Sequence, residues 1–379
     1  MIPSVEPIRV AIAGVGFIGK VHARSARLAG ATLVGVAAST RERAEVEAKA
    51  LGAERAFRSP EELISAEDVD VVHICTPNHL HAVLAEAALE AGKHTVCEKP
   101  LTTRVEDASR LVRVAARERA VATVPFVYRY YPTVREARAR VMNGKVGPVR
   151  LVHGSYLQDW LLARDDYNWR VEVEKGGPSR AVADIGSHWC DLIEFVSGHR
   201  ISRVMARLLT AYEERTGQVG GRTFDGPSPG GQGQAVMTED AASILFETDL
   251  GAVGSVVVSQ ISPGRKNRLW FELDGAAEAL VFDQENPEEL WVGRRKGSSL
   301  LVRDPQQLSP AASRYATLPG GHPQGYHDCF DAFVADTYDA IKNGRSEGLP
   351  SFEDGLRAAQ ITRAVLESFS TDTWMEVSP

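Results

Sequence analysis

Apolar and polar positions along this chain change rhythm about a third of the way in. Up to residue 127, short Val-, Ile- and Ala-rich runs at 8–13, 32–37, 69–75, 94–97 and 121–127 predict strands. Between them, a stretch ending near Gly30 and the segments 41–51, 79–91 and 103–119 carry helical spacing. Nearly continuous apolar strands alternating with helices predict a parallel, doubly wound sheet covered on both faces. Beyond residue 128 strands dominate. A helix is expected over 132–143, closed by Asn143-Gly144. Strands follow at 149–157, 201–210, 241–248, 252–260, 268–273 and 278–283, several joined by tight-turn signals such as Asp274-Gly275. A helix near 185–197 interrupts them, and helices return at 325–343 and 353–369.

The fold class expected is α/β. A doubly wound domain spans 1–127, and an α+β domain with an open, mainly antiparallel sheet spans 128–379. The stretch 216–233 holds seven glycines and two prolines and reads as a loop.

Composition narrows the function classes. The 379 residues carry 43 Lys+Arg against 50 Asp+Glu, a net charge of −7. That sign argues against a generally basic nucleic-acid binder. The four cysteines, Cys75, Cys97, Cys190 and Cys329, form no C-x-x-C pair. Reduced thiols in a cytoplasmic protein are expected, not a disulfide scaffold or zinc ribbon. Met1 to Pro7 shows no signal-peptide pattern, and every apolar run falls well short of the ~20 residues of a membrane span.

Gly14-Val15-Gly16-Phe17-Ile18-Gly19 follows the first strand and opens the first helix. In that context the first glycine permits a tight turn, the second lets a pyrophosphate approach the backbone, and the third permits close helix–strand packing. The helix N-terminus offers N–H groups to the anion. An acid at the end of the second strand would grip the ribose of NAD. The chain has Ala37-Ala38-Ser39-Thr40-Arg41-Glu42-Arg43 there, and Ser39, Thr40, Arg41 and Arg43 can hold a 2′-phosphate. NADP is therefore slightly favoured over NAD.

Three further clusters carry chemistry. Glu98-Lys99-Pro100 lies at the carboxyl end of a predicted strand, where ligands of open α/β sheets bind, and a lysine there can donate to a substrate oxygen. Thr76-Pro77-Asn78-His79-Leu80-His81 also follows a strand, with Asn78 a candidate helix cap. Its H-x-H pair has no neighbouring ligand, so no metal site is expected. In Asp184-Ile185-Gly186-Ser187-His188-Trp189-Cys190-Asp191, helical spacing puts Asp184, His188 and Asp191 on one face. A histidine titrates near pH ~6.5 and a nearby carboxylate can tune it for proton transfer. His322 and His327 are looser candidates.

Taken together, Gly14 to Gly19, Thr76-Pro77-Asn78 with His81, Glu98-Lys99-Pro100 and Asp184-x-Gly186-x-His188-x-x-Asp191 resemble the glucose–fructose oxidoreductase / inositol dehydrogenase (Gfo/Idh/MocA) family of NAD(P)-dependent sugar dehydrogenases. The resemblance spans nearly the whole chain. It implies a Rossmann domain whose cofactor contacts are Gly14, Gly16, Phe17, Ile18, Gly19, Ser39, Thr40, Arg43, Thr76, Pro77, Asn78, His81, Glu98 and Lys99. It also implies that Lys99 touches the reacting hydroxyl and the nicotinamide ribose, that His188 is the general acid/base, and that Asp184 binds a neighbouring hydroxyl. In the family the second sheet often forms a dimer or tetramer interface.

Tyr156-Leu157-Gln158-Asp159-Trp160 and Asn168-Trp169-Arg170 look like the branch containing levoglucosan dehydrogenase. That makes Tyr128, Gln158, Trp160, Trp169 and Arg170 substrate candidates. Pro178-Ser179-Arg180 departs from the family pattern and leaves Arg180 able to reach the substrate.

The expected activity is hydride transfer between nicotinamide and a secondary hydroxyl of a sugar, anhydrosugar, glycoside or polyol, with no nucleic-acid or membrane partner. Two rivals remain open: a glycoside-cleaving or eliminating enzyme with no net redox change, and a non-catalytic dinucleotide-binding sensor.

Overall fold

The structure is a computed structural model that describes residues 6–216, 233–344 and 347–378. The glycine-rich stretch expected as a loop at 216–233 lies, apart from its two ends, outside the described residues. The chain divides into two compact units, residues 1–125 with 327–356, and residues 126–326 with 357–379. The single boundary near residue 127 left 327–356 with the second domain, whereas here the segment joins the first unit. Its helix Tyr326–Asn343 buries Phe330, Phe333, Val334 and Tyr338. Phe330 and Tyr338 pack edge-on against the buried rings of His22 and His73.

In the first unit, β1 (Arg9–Ala13), β2 (Thr32–Ala37), β3 (Arg55–Ala56), β4 (Val71–Ile74), β5 (His94–Cys97) and β6 (Ala122–Thr123) form one sheet in the order β3-β2-β1-β4-β5-β6. Every pair is parallel, as expected. Val10, Ile12, Val36, Val71 and Val96 are fully buried, as strands covered on both faces require. The strand expected at 121–127 shrinks to two residues. Pro125 has no N–H for a ladder, and Val124 N donates instead to Pro350 O at 3.3 Å. A helix that periodicity missed, Pro60–Ser65, starts with proline in its first turn and is capped by the Ser59 side chain.

The second unit is built on β7 (Val149–Leu157), β8 (Ile201–Leu209), β9 (Glu214–Arg215), β10 (Gln234–Ala235), β11 (Ala241–Thr248), β12 (Val253–Ser259), β13 (Arg268–Gly275), β14 (Ala279–Asp283), β15 (Glu289–Gly293), β16 (Ser299–Val302) and β17 (Met375–Glu376). β9 and β10 pair with each other, and the rest form a nine-stranded sheet in the order β16-β15-β14-β13-β7-β12-β11-β8-β17. The β7–β12 pair is parallel and the others antiparallel. One face buries Val152, Tyr156, Ile244, Phe246, Val256, Phe271 and Phe282. The other exposes Leu151, Leu245, Val253, Val257 and Leu300.

The helix Ser187–Ser197 packs on the covered face, where Trp189 Nε1 donates to Trp270 O at 2.9 Å. A Cβ on Gly154 would lie 2.7 Å from that nitrogen and 2.2 Å from that oxygen, so glycine is required there. Among the described residues no helix is long and apolar enough to cross a membrane.

Candidate active site

The sheet order of the first unit reverses between β1 and β4, and ligands of such sheets bind outside the carboxyl ends at that point. The glycine turn lies there. Gly14 has a φ of 99°, and a Cβ on it would sit 2.5 Å from Cys75 O. A Cβ on Gly19 would sit 2.0 Å from Gly14 O. A Cβ on Gly16 meets nothing within 4 Å. The fold itself therefore demands the outer two glycines, while the middle one keeps open space above its backbone. Phe17 beside it is 55% exposed and Ile18 is half-buried. The helix Phe17–Leu28 begins with no side-chain cap, so its positive end is available to an anion. These residues fit a dinucleotide pyrophosphate.

Beyond β2, Ser39, Thr40 and Arg43 are exposed. Thr40 Oγ1 accepts from Arg43 N at 3.2 Å and so caps the helix Arg41–Leu51. Arg41 Nε donates to Glu45 at 2.8 Å. Beyond β4, Thr76 and Pro77 are half-buried and Asn78 is buried. Asn78 does not cap the next helix. It lies inside a 3₁₀ turn, Asn78–Leu80, that runs straight into the helix His81–Glu90.

His79 is exposed and His81 is 1% exposed, so the H-x-H pair does not face a common point. His81 ties two loops together, with Nδ1 2.8 Å from Pro100 O and Nε2 2.9 Å from Thr76 O. Both partners are backbone carbonyl oxygens, which only accept. Beyond β5, Glu98 is 7% exposed and Lys99 is half-buried. Burial pushes the Glu98 carboxyl up, but the hydrogen bond from His22 and the charges of His22, Lys99 and His81 hold it below the usual range. The cofactor candidates thus stand at the carboxyl ends of four adjacent strands, β2-β1-β4-β5.

The second unit gathers the remaining candidates. Asp184 lies in a π-helical turn, Val182–Gly186, that leads into the helix carrying His188, where the sequence had indicated helix throughout. Glu239 starts this segment: its Oε1 accepts from Ser179 Oγ at 2.7 Å, Arg180 N at 3.0 Å and Val182 N at 2.9 Å. Asp184 Oδ2 accepts from Gln260 Nε2 at 2.8 Å, and its Oδ1 lies 3.6 Å from Arg170 Nε. Arg170 in turn stacks over Trp169.

The His188 ring stands edge-on to Tyr128, with centroids 5.0 Å apart, and to Phe126 at 5.6 Å. A loop of hydrogen bonds begins at Tyr128. Its O–H donates to Tyr156 at 2.6 Å, Tyr156 O–H to Asn267 Oδ1 at 2.7 Å, and Asn267 Nδ2 back to Tyr128 at 3.0 Å. Gln158 Nε2 joins at Asn267 Oδ1 at 2.8 Å, and Trp160 Nε1 donates to Gln158 Oε1 at 2.8 Å. Burial, followed by Tyr128, pushes the Tyr156 hydroxyl well above its ordinary range, so it stays a donor.

Sequence reasoning missed Tyr156, Asn267 and Gln260. Period two along β7 places Tyr156 on the face of Gln158 and was the available signal. Nothing local marked the other two. Two readings are corrected. Arg180 is 2% exposed, paired with Asp240, and so cannot reach a substrate. Asp191 is not beside His188 as a free carboxylate, because Arg129 holds it in a buried two-pronged ion pair. His322 and His327 are exposed.

A glycine turn at the switch point of a doubly wound sheet defines a dinucleotide-binding protein, and comparison with known proteins makes it an oxidoreductase. Residues 8–126 match the oxidoreductase family with an NAD-binding Rossmann fold, and residues 134–281 match the GFO/IDH/MocA C-terminal domain. The chain belongs to the GFO/IDH/MocA oxidoreductase family. It is 32% identical to levoglucosan dehydrogenase of Pseudarthrobacter phenanthrenivorans over 98% of each chain. It is 27% identical to inositol 2-dehydrogenase of Rhizobium meliloti, over 95% of this chain and 96% of that one. Among solved structures, levoglucosan dehydrogenase in complex with NADH and L-sorbose superposes with a TM-score of 0.90 at 31% identity, covering 98% of this chain and 99% of that one.

Proposed function

We propose that this protein moves hydride between the nicotinamide of NAD or NADP and a secondary hydroxyl of a sugar, anhydrosugar, glycoside or polyol. The observation that carries the reading is the ring of neutral hydroxyl and amide groups around His188 and Asp184. Tyr128, Tyr156, Gln158 and Asn267 offer donors and acceptors suited to a polyhydroxylated, uncharged ligand. The relatives named levoglucosan dehydrogenase and inositol 2-dehydrogenase support it.

When bound, the dinucleotide supplies the hydride acceptor. His188 takes the hydroxyl proton while the hydrogen on the same carbon leaves with its electron pair, and a ketone remains. Lys99 donates to the oxygen as charge develops on it. Asp184, held by Gln260 and Arg170, accepts from a neighbouring hydroxyl and fixes which carbon reacts. A panel of sugars, anhydrosugars and polyols, run with NAD and with NADP, tests this. Lys99→Ala and His188→Ala should each lower kcat by about 10²- to 10⁴-fold. Parent-like turnover in either overturns that residue's role.

Three finer points belong to the same reading. NADP is preferred over NAD, because Ala38 stands where an acid would grip the ribose. Thr40 and Arg41 are occupied in the helix they open, which leaves Ser39 and Arg43 to meet a 2′-phosphate. A second copy, in a dimer or tetramer, covers Leu151, Leu245, Val253, Val257 and Leu300 on the open sheet face, and a monomer in sedimentation would refute this. The protein works in the cytoplasm, where its buried Cys75, Cys97 and Cys190 stay reduced.

A further inference from the structure

Four buried polar side chains of the first unit take part in no step above, yet they form one hydrogen-bonded chain. Tyr338 OH lies 2.9 Å from His73 Nε2, His73 Nδ1 lies 2.8 Å from His22 Nδ1, and His22 Nε2 lies 3.1 Å from Glu98 Oε1. They come from the helix Tyr326–Asn343, from β4, from the helix that opens at the glycine turn, and from the end of β5. His22 and His73 are fully buried, Tyr338 is 3% exposed and Glu98 7%. The His22 ring is wedged between His73 and Phe330, each centroid 5.0 Å away.

The bond at the carboxylate end has a fixed direction. A carboxylate only accepts, so His22 Nε2 donates to Glu98. Burial, then the charge of His22, holds His73 well below its ordinary range, so its ring is neutral. Burial pushes Tyr338 up, so it keeps its proton. The contacts join end to end, Tyr338 OH to His73 Nε2, His73 Nδ1 to His22 Nδ1, and His22 Nε2–H donating to Glu98. The other Glu98 oxygen, Oε2, accepts the backbone N–H of Lys99 at 3.1 Å. The chain therefore begins at a deeply buried tyrosine and ends on the peptide that carries Lys99. A break anywhere along it strands a buried donor or acceptor, which makes the set act as a unit.

We infer that Tyr338, His73 and His22 are positioning residues that hold Glu98 oriented as a carboxylate, and that Glu98 thereby fixes the backbone of Lys99. The inference rests on the role proposed above for Lys99.

The test is a double-mutant cycle. Tyr338→Phe, which removes one oxygen, and Glu98→Gln are each made in the parent and in the Lys99→Ala protein. Single-turnover hydride transfer, NADH affinity by fluorescence titration and amide exchange at Lys99 are measured on each. Glu98→Gln is the variant expected to fold in any case. Its amide keeps the size of the carboxylate and a hydrogen-bonding group facing His22.

In the parent, transfer should fall about tenfold for Tyr338→Phe and about 10- to 100-fold for Glu98→Gln, with NADH affinity within about twofold. In the Lys99→Ala background neither should change the remaining rate by more than about twofold. Exchange of the Lys99 amide, which needs no turnover, should quicken about tenfold or more in both variants. Equal rate losses in both backgrounds, or unchanged Lys99 exchange, overturn the inference. A parent-like rate in Lys99→Ala alone overturns instead the role of Lys99, so the two failures are told apart.

Discussion

Adding a single methyl group at Gly16 and, separately, at Gly19 divides the two jobs of the glycine turn. Without dinucleotide, the Gly16→Ala methyl meets nothing within 4 Å, and the backbone at φ −69°, ψ −165° is extended and open to alanine. Loss of glycine's freedom in the unfolded chain then makes the folded state more stable by up to about 1 kcal/mol. With dinucleotide, the methyl stands where the pyrophosphate approaches. Displacing it from two charge-assisted N–H bonds of about 1.5–3 kcal/mol each removes about 3–6 kcal/mol, or about 10²- to 10⁴-fold in Kd.

Gly19→Ala behaves in the opposite way. Its methyl would sit 2.0 Å from Gly14 O, a backbone atom that cannot swing aside. Overpacking of this kind costs about 1–3 kcal/mol or more. In a domain of this size that is about 2–12 °C in Tm. Thermal melting without cofactor and NADH titration by fluorescence read the two effects. If Gly16→Ala binds NADH like the parent, the open space above Gly16 is not the pyrophosphate's approach. If it melts as low as Gly19→Ala, the steric reasoning is wrong.

Other outcomes follow from particular contacts. Ala38→Asp should shift the kcat/KM preference towards NAD by about tenfold or more, since a carboxylate repels a 2′-phosphate; unchanged or improved NADP use refutes the cofactor reading. Asp191→Ala leaves the buried Arg129 guanidinium without its carboxylate and should cost about 3–5 kcal/mol in urea unfolding, where a loss below about 1 kcal/mol would mark the pair as surface-like. Burial, then the charge of His22, holds folded His73 well below its ordinary range, so as pH falls below about 6.5 the unfolded chain takes up the proton first. Stability is therefore full above that pH and declines as pH falls below it, and His73→Gln should flatten this slope by up to one proton even though it lowers stability overall. An unchanged slope would refute the assignment.

Local pattern made part of the site legible. The glycine turn stood between a continuous apolar run and a helix, and Gly14 and Gly19 are needed for contacts within that same turn and with the neighbouring strand end. Asp184 and His188 sit within one helical turn of each other, so spacing placed them together, although the local winding is π. The strands β15 and β16, with five and four residues, were too short for their alternation to stand out. Asp191 shared the helical spacing of His188, but no local signal announced that Arg129, 62 residues away, would claim it. Arg180 was equally misjudged, because its partner Asp240 lies 60 residues on.

By itself, the sequence determined the alternation of the main strands and helices, the parallel first sheet, the antiparallel character of the second, and the residues at the carboxyl ends of β1, β4 and β5. Those features depend on side-chain period, on glycine and proline geometry, and on partners within a few residues. Tertiary structure alone decided which polar groups are spent on the fold and which are left for chemistry. The chain from Tyr338 through His73 and His22 to Glu98 joins residues 265, 51 and 76 positions apart. The loop of Tyr128, Tyr156 and Asn267 bridges 28, 111 and 139 positions. A buried donor must find its acceptor wherever the packed chain brings one, and that distance leaves no periodic trace along the sequence.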